Sequence, residues 1–335
     1  MIVVHRTIIH SLNKGEKSLI VADYENSNDD LNKSLAKVYK SVSKDKFLRK
    51  AVFNNYESNP IRVAIDDILY DNTKFISASK VIAESLFDEV LINNEMDSCS
   101  LAVVLLTVKD ERKVGVFKLD YKKNYSSSVK ELKDNSFRID IIENNNSLSS
   151  SIKSSQAIIA GPTSANEEFH IEVLDKKAEK NDEESGFIKN FLNVTKVIDD
   201  AYKTRILKQT VENFITNNFV DEIRDGEEAK SLFVHMLTDE ETLSPESFIE
   251  KAIHDEMKRE ILTEILEEKG IDVSTEIDLD KDWIEKETKT ITKKLDTGFV
   301  LKGSLEDFKD AMKYSIRENK DGSVDIVLKN IRLSE

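Results

Sequence analysis

Leu101-Ala102-Val103-Val104-Leu105-Leu106-Thr107-Val108, then a charged turn through Asp110, Glu111, Arg112 and Lys113, then Val114-Gly115-Val116-Phe117-Lys118-Leu119-Asp120-Tyr121: the fold turns on this stretch. Its first run has the unbroken aliphatic and β-branched character of a strand covered on both faces. The second alternates, with Val114, Val116 and Lys118 on one side, so the pair reads as a hairpin inside a core sheet. Upstream, Ile2 to Ile9 and Ser18 to Tyr24 read as strands joined around Asn13-Lys14-Gly15-Glu16, with Gly15 supplying a positive φ. Asp30 is the expected cap of a helix carrying Leu31, Leu35, Val38 and Val42 on one face. Lys33, Lys37, Lys40 and Lys44 recur three and four apart on the opposite face, and Lys46, Arg49 and Lys50 extend the basic stripe.

Beyond Pro60, Ile61 to Leu69 and Ser77 to Asn93 have helical patterning, the second with Ala78, Val81, Ile82, Leu86, Val90 and Leu91 on one face. Ser126-Ser127-Ser128 and Asn144 to Ser151 have loop composition around a short strand, Phe137 to Ile142. Ala157 to Ala160 and Phe169 to Leu174 are strand candidates, and Lys176 to Ser185 reads as a charged linker. From Phe187 to Phe214 apolar residues recur at helical spacing, continued by Ser231 to Leu237, Ser244 to Ile253 and Met257 to Leu266, with Pro245 in a first turn and Gly270 as a stop. Gly298 to Leu301 reads as a strand, Ser304 as a helix cap before Phe308 and Met312, and Tyr314 to Arg317 pairs with Val324 to Leu328 across Asn319 to Ser323. The expected class is α+β. A mixed sheet-and-helix domain over 1–180 precedes a mainly helical, acidic domain over 186–335 that ends in a small β-hairpin element.

At 335 residues, 39% hydrophobic and 34% charged, the chain is long and apolar enough for two domains. No run approaches the ~18 apolar residues that span a bilayer, and the N-terminus lacks a leader pattern, so the expected location is the cytoplasm. Cys99 stands alone, which excludes an intramolecular disulfide framework. The net charge of −15 opposes phosphate binding overall, but its distribution is uneven. Residues 1–180 carry 26 basic and 27 acidic side chains, whereas 181–270 carry 11 and 22. The acidic excess in the middle leaves the first 180 residues free to present basic patches.

Catalytic patterns are weak. Asp110 and Asp120-Tyr121-Lys122 have the outline of a Mg²⁺ nuclease site, but a turn and the far end of a strand place the two carboxylates as much as ~25 Å apart. His5, His10, His170, His235 and His254 show no pair at helical ligand spacing, and His5 and His10 fall on opposite faces of a strand. Gly161-Pro162-Thr163-Ser164 lacks the second glycine and the lysine of a phosphate loop. Trp283 is read as a packing residue. No cofactor or metal is expected.

Ile8-Ile9-His10, Phe75-Ile76-Ser77 before Ile82-Ala83-Glu84-Ser85-Leu86, Lys118-Leu119-Asp120-Tyr121-Lys122, Gly186-Phe187-Ile188-Lys189-Asn190-Phe191-Leu192, Asp296-Thr297-Gly298 and Asp321-Gly322-Ser323 occur in this order. Order and residues together resemble the 37-kDa nucleoid-associated bacterial protein family (NdpA-like) over nearly the whole chain. The resemblance implies an abundant cytoplasmic, nucleoid-localised, non-enzymatic protein binding double-stranded DNA with little sequence preference. It carries no catalytic residues across. On the residues alone, the candidate DNA-binding set is Lys33, Lys37, Lys40, Lys44, Lys46, Arg49, Lys50, Arg112, Lys113, Lys118, Lys122 and Lys123. Tyr39, Tyr121 and Tyr125 stand beside them as donors to phosphate. The alternative is an interaction or scaffold protein of a DNA-maintenance or phage-defence assembly that docks a protein partner through its acidic helices. A metal-dependent nuclease is third. Apolar helix faces in 187–270 make a homodimer an expectation.

Overall fold

Residues 99–120 fold into the expected hairpin, and an antiparallel sheet is assembled around it. The computed structural model describes residues 2–331 except 134–135, 149–150, 182, 221, 289–290, 295–296 and 320–322. Ser149, Ser150, Asp182, Asp296 and the turn residues Lys320, Asp321 and Gly322, all within segments quoted above, therefore lie outside the described residues. Two compact units divide at 197/198, and the class is α+β.

The first unit comprises β1 (Ile2–Asn13), β2 (Ser18–Ile20), α1 (Asp29–Val42), β3 (Leu48–Phe53), α2 (Pro60–Tyr70), α3 (Phe75–Ile92), β4 (Cys99–Val108) and β5 (Glu111–Asp120). It continues with β6 (Lys122–Glu131), β7 (Phe137–Ser147), β8 (Gln156–Ala160), β9 (Ile171–Asp175), α4 (Lys176–Asn181), a π-helical turn (Phe187–Leu192) and β10 (Val194–Lys196). Eight strands form one sheet in the order β10-β3-β9-β8-β5-β4-β1-β2, each neighbouring pair antiparallel.

Alternation sends every second side chain to each face. Leu101, Val103, Leu105, Val114, Val116 and Ile158 meet α2, α3 and the π-helical turn. Ala102, Val104, Leu106, Phe117, Leu119 and Ile159 meet Leu35, Val38, Tyr39 and Val42 of α1. β4 is thus buried on both faces, as its composition requires. So is most of β5, because Phe117 and Leu119 lie under α1 while Val114 and Val116 face α2 and α3. Burying Leu35, Val38 and Val42 holds α1 to the sheet with roughly 5–9 kcal/mol of transfer free energy, an upper bound.

Several local readings change. The cap of α1 is Asn28, whose side chain accepts from Asp30 N at 2.9 Å and Leu31 N at 3.1 Å, so Asp30 lies in the first turn. In the first turn of the chain the positive φ belongs to Lys17 (49°) instead of Gly15. The basic stripe does not continue α1: residues 48–53 form β3, where period-2 alternation buries Arg49, Ala51 and Phe53. The serine- and asparagine-rich segments read as loops form the β6–β7 ribbon, and six residues of the expected linker form α4. Residues 186–197, assigned above to the second domain, pack in the first unit, where Phe187, Ile188, Phe191 and Leu192 join the α2–α3 core and β10 pairs with β3. A bulge between Val4 and Arg6 shifts the phase of β1. Ile2, Val4 and Ile9 consequently reach the α1 side, while His5 meets Thr107 Oγ1 at 2.8 Å on the face that also holds His10. The opposite-face placement of the two histidines is therefore corrected.

His10 is fully buried. Its Nδ1 accepts from Ala22 N at 3.1 Å and its Nε2 lies 3.1 Å from Ser79 Oγ, whose own proton goes to Ile76 O. Burial first, then the charge of Lys80, pushes its pKa down to about 4. The ring stays neutral in the folded chain while the unfolded chain titrates near 6.5, so stability contributed by neutral His10 is present above 6.5 and is lost as pH falls toward 4. Urea denaturation at pH 7 and pH 5 is expected to show a loss of about 2 kcal/mol in the native chain that a His10→Gln variant lacks; equal losses would refute the assignment. Cys99 is also buried, with its thiol pushed up to about 12 by burial, and behaves as an apolar side chain.

The second unit contains α5 (Asp200–Asn218), α6 (Ile223–Asp239), β11 (Thr242–Leu243), α7 (Pro245–Ala252), α8 (Glu256–Glu268), β12 (Ile277–Asp278) and α9 (Lys281–Thr288). Two hairpins follow, β13 (Ile291–Lys294) with β14 (Val300–Gly303), and, after α10 (Leu305–Lys309), β15 (Tyr314–Glu318) with β16 (Val324–Leu328). Ser304 caps its helix as read, accepting from Asp307 N, and Ser244, before the Pro245 of the first turn, caps α7 by accepting from Ser247 N. Gly270, at φ 78°, ends α8 with its N–H on Glu267 O and that of Ile271 on Leu266 O, the two bonds of a left-handed stop. The apolar faces expected to support a dimer are consumed internally: Leu207, Val211, Phe214, Phe233, Phe248 and Leu262 pack on one another, with Trp283 against them.

Candidate nucleic-acid interface

The twelve candidate cations are sorted by the sheet into four settings. Arg49 and Lys118 leave the surface. Arg49, on an inward position of β3, has a side chain 5% exposed, donates from Nη1 to Glu179 Oε2 at 3.2 Å and from Nη2 to Val197 O at 2.7 Å. Lys118 shares the inward face with Val114 and Val116, is equally buried and is ion-paired with Asp120. Both are corrections to the candidate set: a cation buried against a carboxylate offers no contact to an external phosphate.

Arg112, Lys113 and Lys50 gather near the β4–β5 turn and are engaged there. Arg112 donates to Asn72 Oδ1 at 3.1 Å and Lys113 pairs with Glu111 at 3.1 Å. Lys50 lies over the Phe169 ring at 5.2 Å and is register partner to Glu172. Burial raises the pKa of Glu172, and the charges of Lys113 and Lys50 oppose that rise. Here Lys113 and Lys50 stand beside Glu111 and Glu172, and Arg112 is held by an amide.

Along α1, Lys33, Lys37 and Lys40 are exposed, with Lys44 and Lys46 exposed just beyond its end. Lys33 pairs with Asp30 at 3.0 Å, whose hydrogen bond raises the lysine pKa, and Lys46 stands over the Phe47 ring. Lys37, Lys40 and Lys44 have no acid partner among the described residues.

The fourth setting lies at the far end of β5, ten residues of extended chain and about 30 Å from the turn. Lys122 begins β6 there, while Lys123 pairs with Glu143 at 2.9 Å. Beside Lys122 a cavity of about 230 Å³ is lined by Lys122, Lys153, Lys176, Ser151, Ser155 and Asp120, among others. Lys153 and Lys176 were not among the sequence candidates. Strand pairing brings them in: β8 and β9 follow β5 in the sheet, so the residues before β8 and after β9 meet the end of β5. Lys176 pairs with Asp45 at 2.6 Å, which ties the Lys44–Lys46 segment to the cavity. Asp120 is occupied by Lys118 and by Ser155 Oγ at 3.0 Å, so the cavity is positive in a protein of net charge −15. A larger neighbouring cavity, about 440 Å³, is lined by Lys118 and Lys177 but by six carboxylates, Glu95, Asp97, Asp120, Asp175, Glu183 and Glu184. Size favours the second for a ligand, but charge decides against it for a phosphate.

The same geometry separates Asp110 from Asp120 by the length of β5, and no group of three metal-binding side chains occurs among the described residues. No described helix is long and apolar enough to cross a membrane.

Fold and site define an α+β protein built on an antiparallel sheet, with a lysine-lined cavity where that sheet meets the loop after its outer helix. The chain belongs to the family described as nucleoid-associated protein YejK (NA37), whose model matches residues 8–334. A comparison with curated proteins finds no match.

Proposed function

We propose that this chain binds double-stranded DNA through its phosphates, with little sequence preference and without catalysis. The observation carrying the reading is the concentration of lysines around the 230 Å³ cavity and along α1, against the acidic charge of the whole. Membership in a nucleoid-associated family supports it. The chemistry of α1 argues for backbone contact over base readout. Its exposed face presents lysines, which act as point charges, and its one amide side chain within the helix, Asn32, accepts from Thr7 Oγ1 at 2.8 Å. Base recognition instead uses bidentate Arg, Asn or Gln. α1 is also fixed lengthwise to the sheet by its apolar face, which presents its side and not its tip.

Fluorescence anisotropy with a random-sequence duplex over a salt series tests this. Contacts from about five lysines give a slope of log K against log salt near −4.5, with equal affinity for unrelated sequences and intact DNA after incubation with Mg²⁺. Absence of binding at low salt, or an affinity indifferent to salt, refutes the proposal.

A further inference from the structure

β6 and β7 pair with each other and with no other described strand. A lone two-stranded ribbon is marginal in water, and nearly all of this one is exposed. Its register sorts the side chains. Tyr125, Ser127 and Val129 share one face with Phe137, Ile139 and Ile141, and Lys130, Arg138 and Asp140 occupy the other. On the first face Tyr125, Val129, Phe137, Ile139 and Ile141 are between 59% and 67% exposed. Together they present roughly 600 Å² of mostly apolar surface, at the top of the range for the largest patch on a monomer.

We infer that this face is a dimer interface, on which a second copy of the chain stacks ribbon against ribbon about a two-fold axis near Ser127. Area fits: covering the patch on two copies removes about 1,200 Å², the lower bound of a specific interface. Charge fits as well. Glu131, toward the ribbon tip, has no ion-pair partner among the described residues, and Lys123 stands at the base, held beside Tyr125 by Glu143. The two lie equally far in sequence on either side of Ser127. An antiparallel two-fold stack therefore sets Glu131 of each copy over Lys123 of the other, the self-complementarity that an isologous contact demands. Duplex DNA is the poorer occupant, because its phosphates would meet two carboxylates on this face, Glu131 and Glu143, with apolar side chains between them that offer phosphate no hydrogen bond. The inference stands apart from the proposed DNA binding and is tested without DNA.

Sedimentation velocity of the full chain over a concentration series is expected to show a monomer–dimer equilibrium. Ile139→Lys with Ile141→Lys, on an exposed face where folding is not at risk, weakens it about 100-fold or more, and Ile142→Lys on the opposite face leaves it unchanged. With native Cys99 buried, Ser127→Cys is captured as a covalent dimer by a short bismaleimide and Ser128→Cys is not. A chain that remains monomeric at every concentration, or equal capture at 127 and 128, overturns the inference. So does a monomer in which the Ile139→Lys/Ile141→Lys change alters only DNA binding, which would make the ribbon a DNA arm.

Discussion

Replacing Arg49 with alanine is expected to destabilise the first unit by about 3–5 kcal/mol, the usual result of removing one partner from a buried ion pair. Both side chains, Arg49 and Glu179, are 5% exposed. Glu179 also accepts from Lys196 Nζ at 2.8 Å, and Arg49 Nη2 satisfies Val197 O. The guanidinium therefore ties together β3, α4 and the chain leaving β10. Without it, a buried carboxylate keeps one cation where it had two, and a buried carbonyl loses its donor. Thermal unfolding should fall by about 10 °C for a unit of this size. Arg49→Met with Glu179→Met should lose less than the sum of the single changes, because no buried carboxylate is left short of a cation and the Lys196 ammonium, a quarter exposed, can turn to solvent. A loss below about 1 kcal/mol in Arg49→Ala would show the pair to be dispensable. The variant also discriminates between roles: measured where it is still folded, its DNA affinity and salt slope should match those of the native chain, whereas a phosphate contact at Arg49 would lower the slope by about 0.9.

Arg49 also shows why part of the site was hidden in the sequence. The spacing of Lys33, Lys37, Lys40 and Lys44 is helical, and Lys46, Arg49 and Lys50 prolong it numerically, so periodicity alone runs the stripe onward. What ends it is the alternation of Arg49, Ala51 and Phe53 into the core of β3, and the acid that makes an inward arginine tolerable lies 130 residues downstream. The central hairpin was legible because its apolar run admits only a doubly covered strand, and the helix start at Ser304 and the stop at Gly270 were legible because capping is a contact within one turn. Of the β6–β7 ribbon only the Phe137–Ile142 part of β7 was legible: around it serine and asparagine disfavour strand, and cross-strand pairing, absent from any local window, supplies what propensity lacks. Lys153 stood between the loop ending at Ser151 and the strand starting at Ala157, and Lys176 in the segment read as a linker; they become neighbours of Lys122 only once β5, β8 and β9 are adjacent in the sheet.

Changing Lys40, Lys44, Lys122 and Lys153 to glutamate together should lower affinity for any duplex by 100-fold or more at about 0.1 M salt, and flatten the salt slope by about 3.6. These four are exposed and have no acid partner among the described residues, so their charge is available to phosphate. Lys74, Lys177, Lys189 and Lys203 make the matched control. Each is paired with an acid, Asp67, Glu95, Glu184 and Asp200 respectively, and reversing all four alters net charge by the same amount. If affinity depends on ammonium groups free to meet phosphate, the control loses less than about tenfold, since each of its lysines is already held by a carboxylate. If both sets lose affinity equally, binding follows total charge, and the lysine-lined cavity is not where the phosphates sit. Lys33→Glu and Lys123→Glu fall between the two sets, because Asp30 and Glu143 already hold those ammonium groups and part of each contact with DNA must displace a carboxylate. That ordering, unpaired above paired, separates a positioned interface from a diffuse one, since a diffuse field ranks every lysine alike.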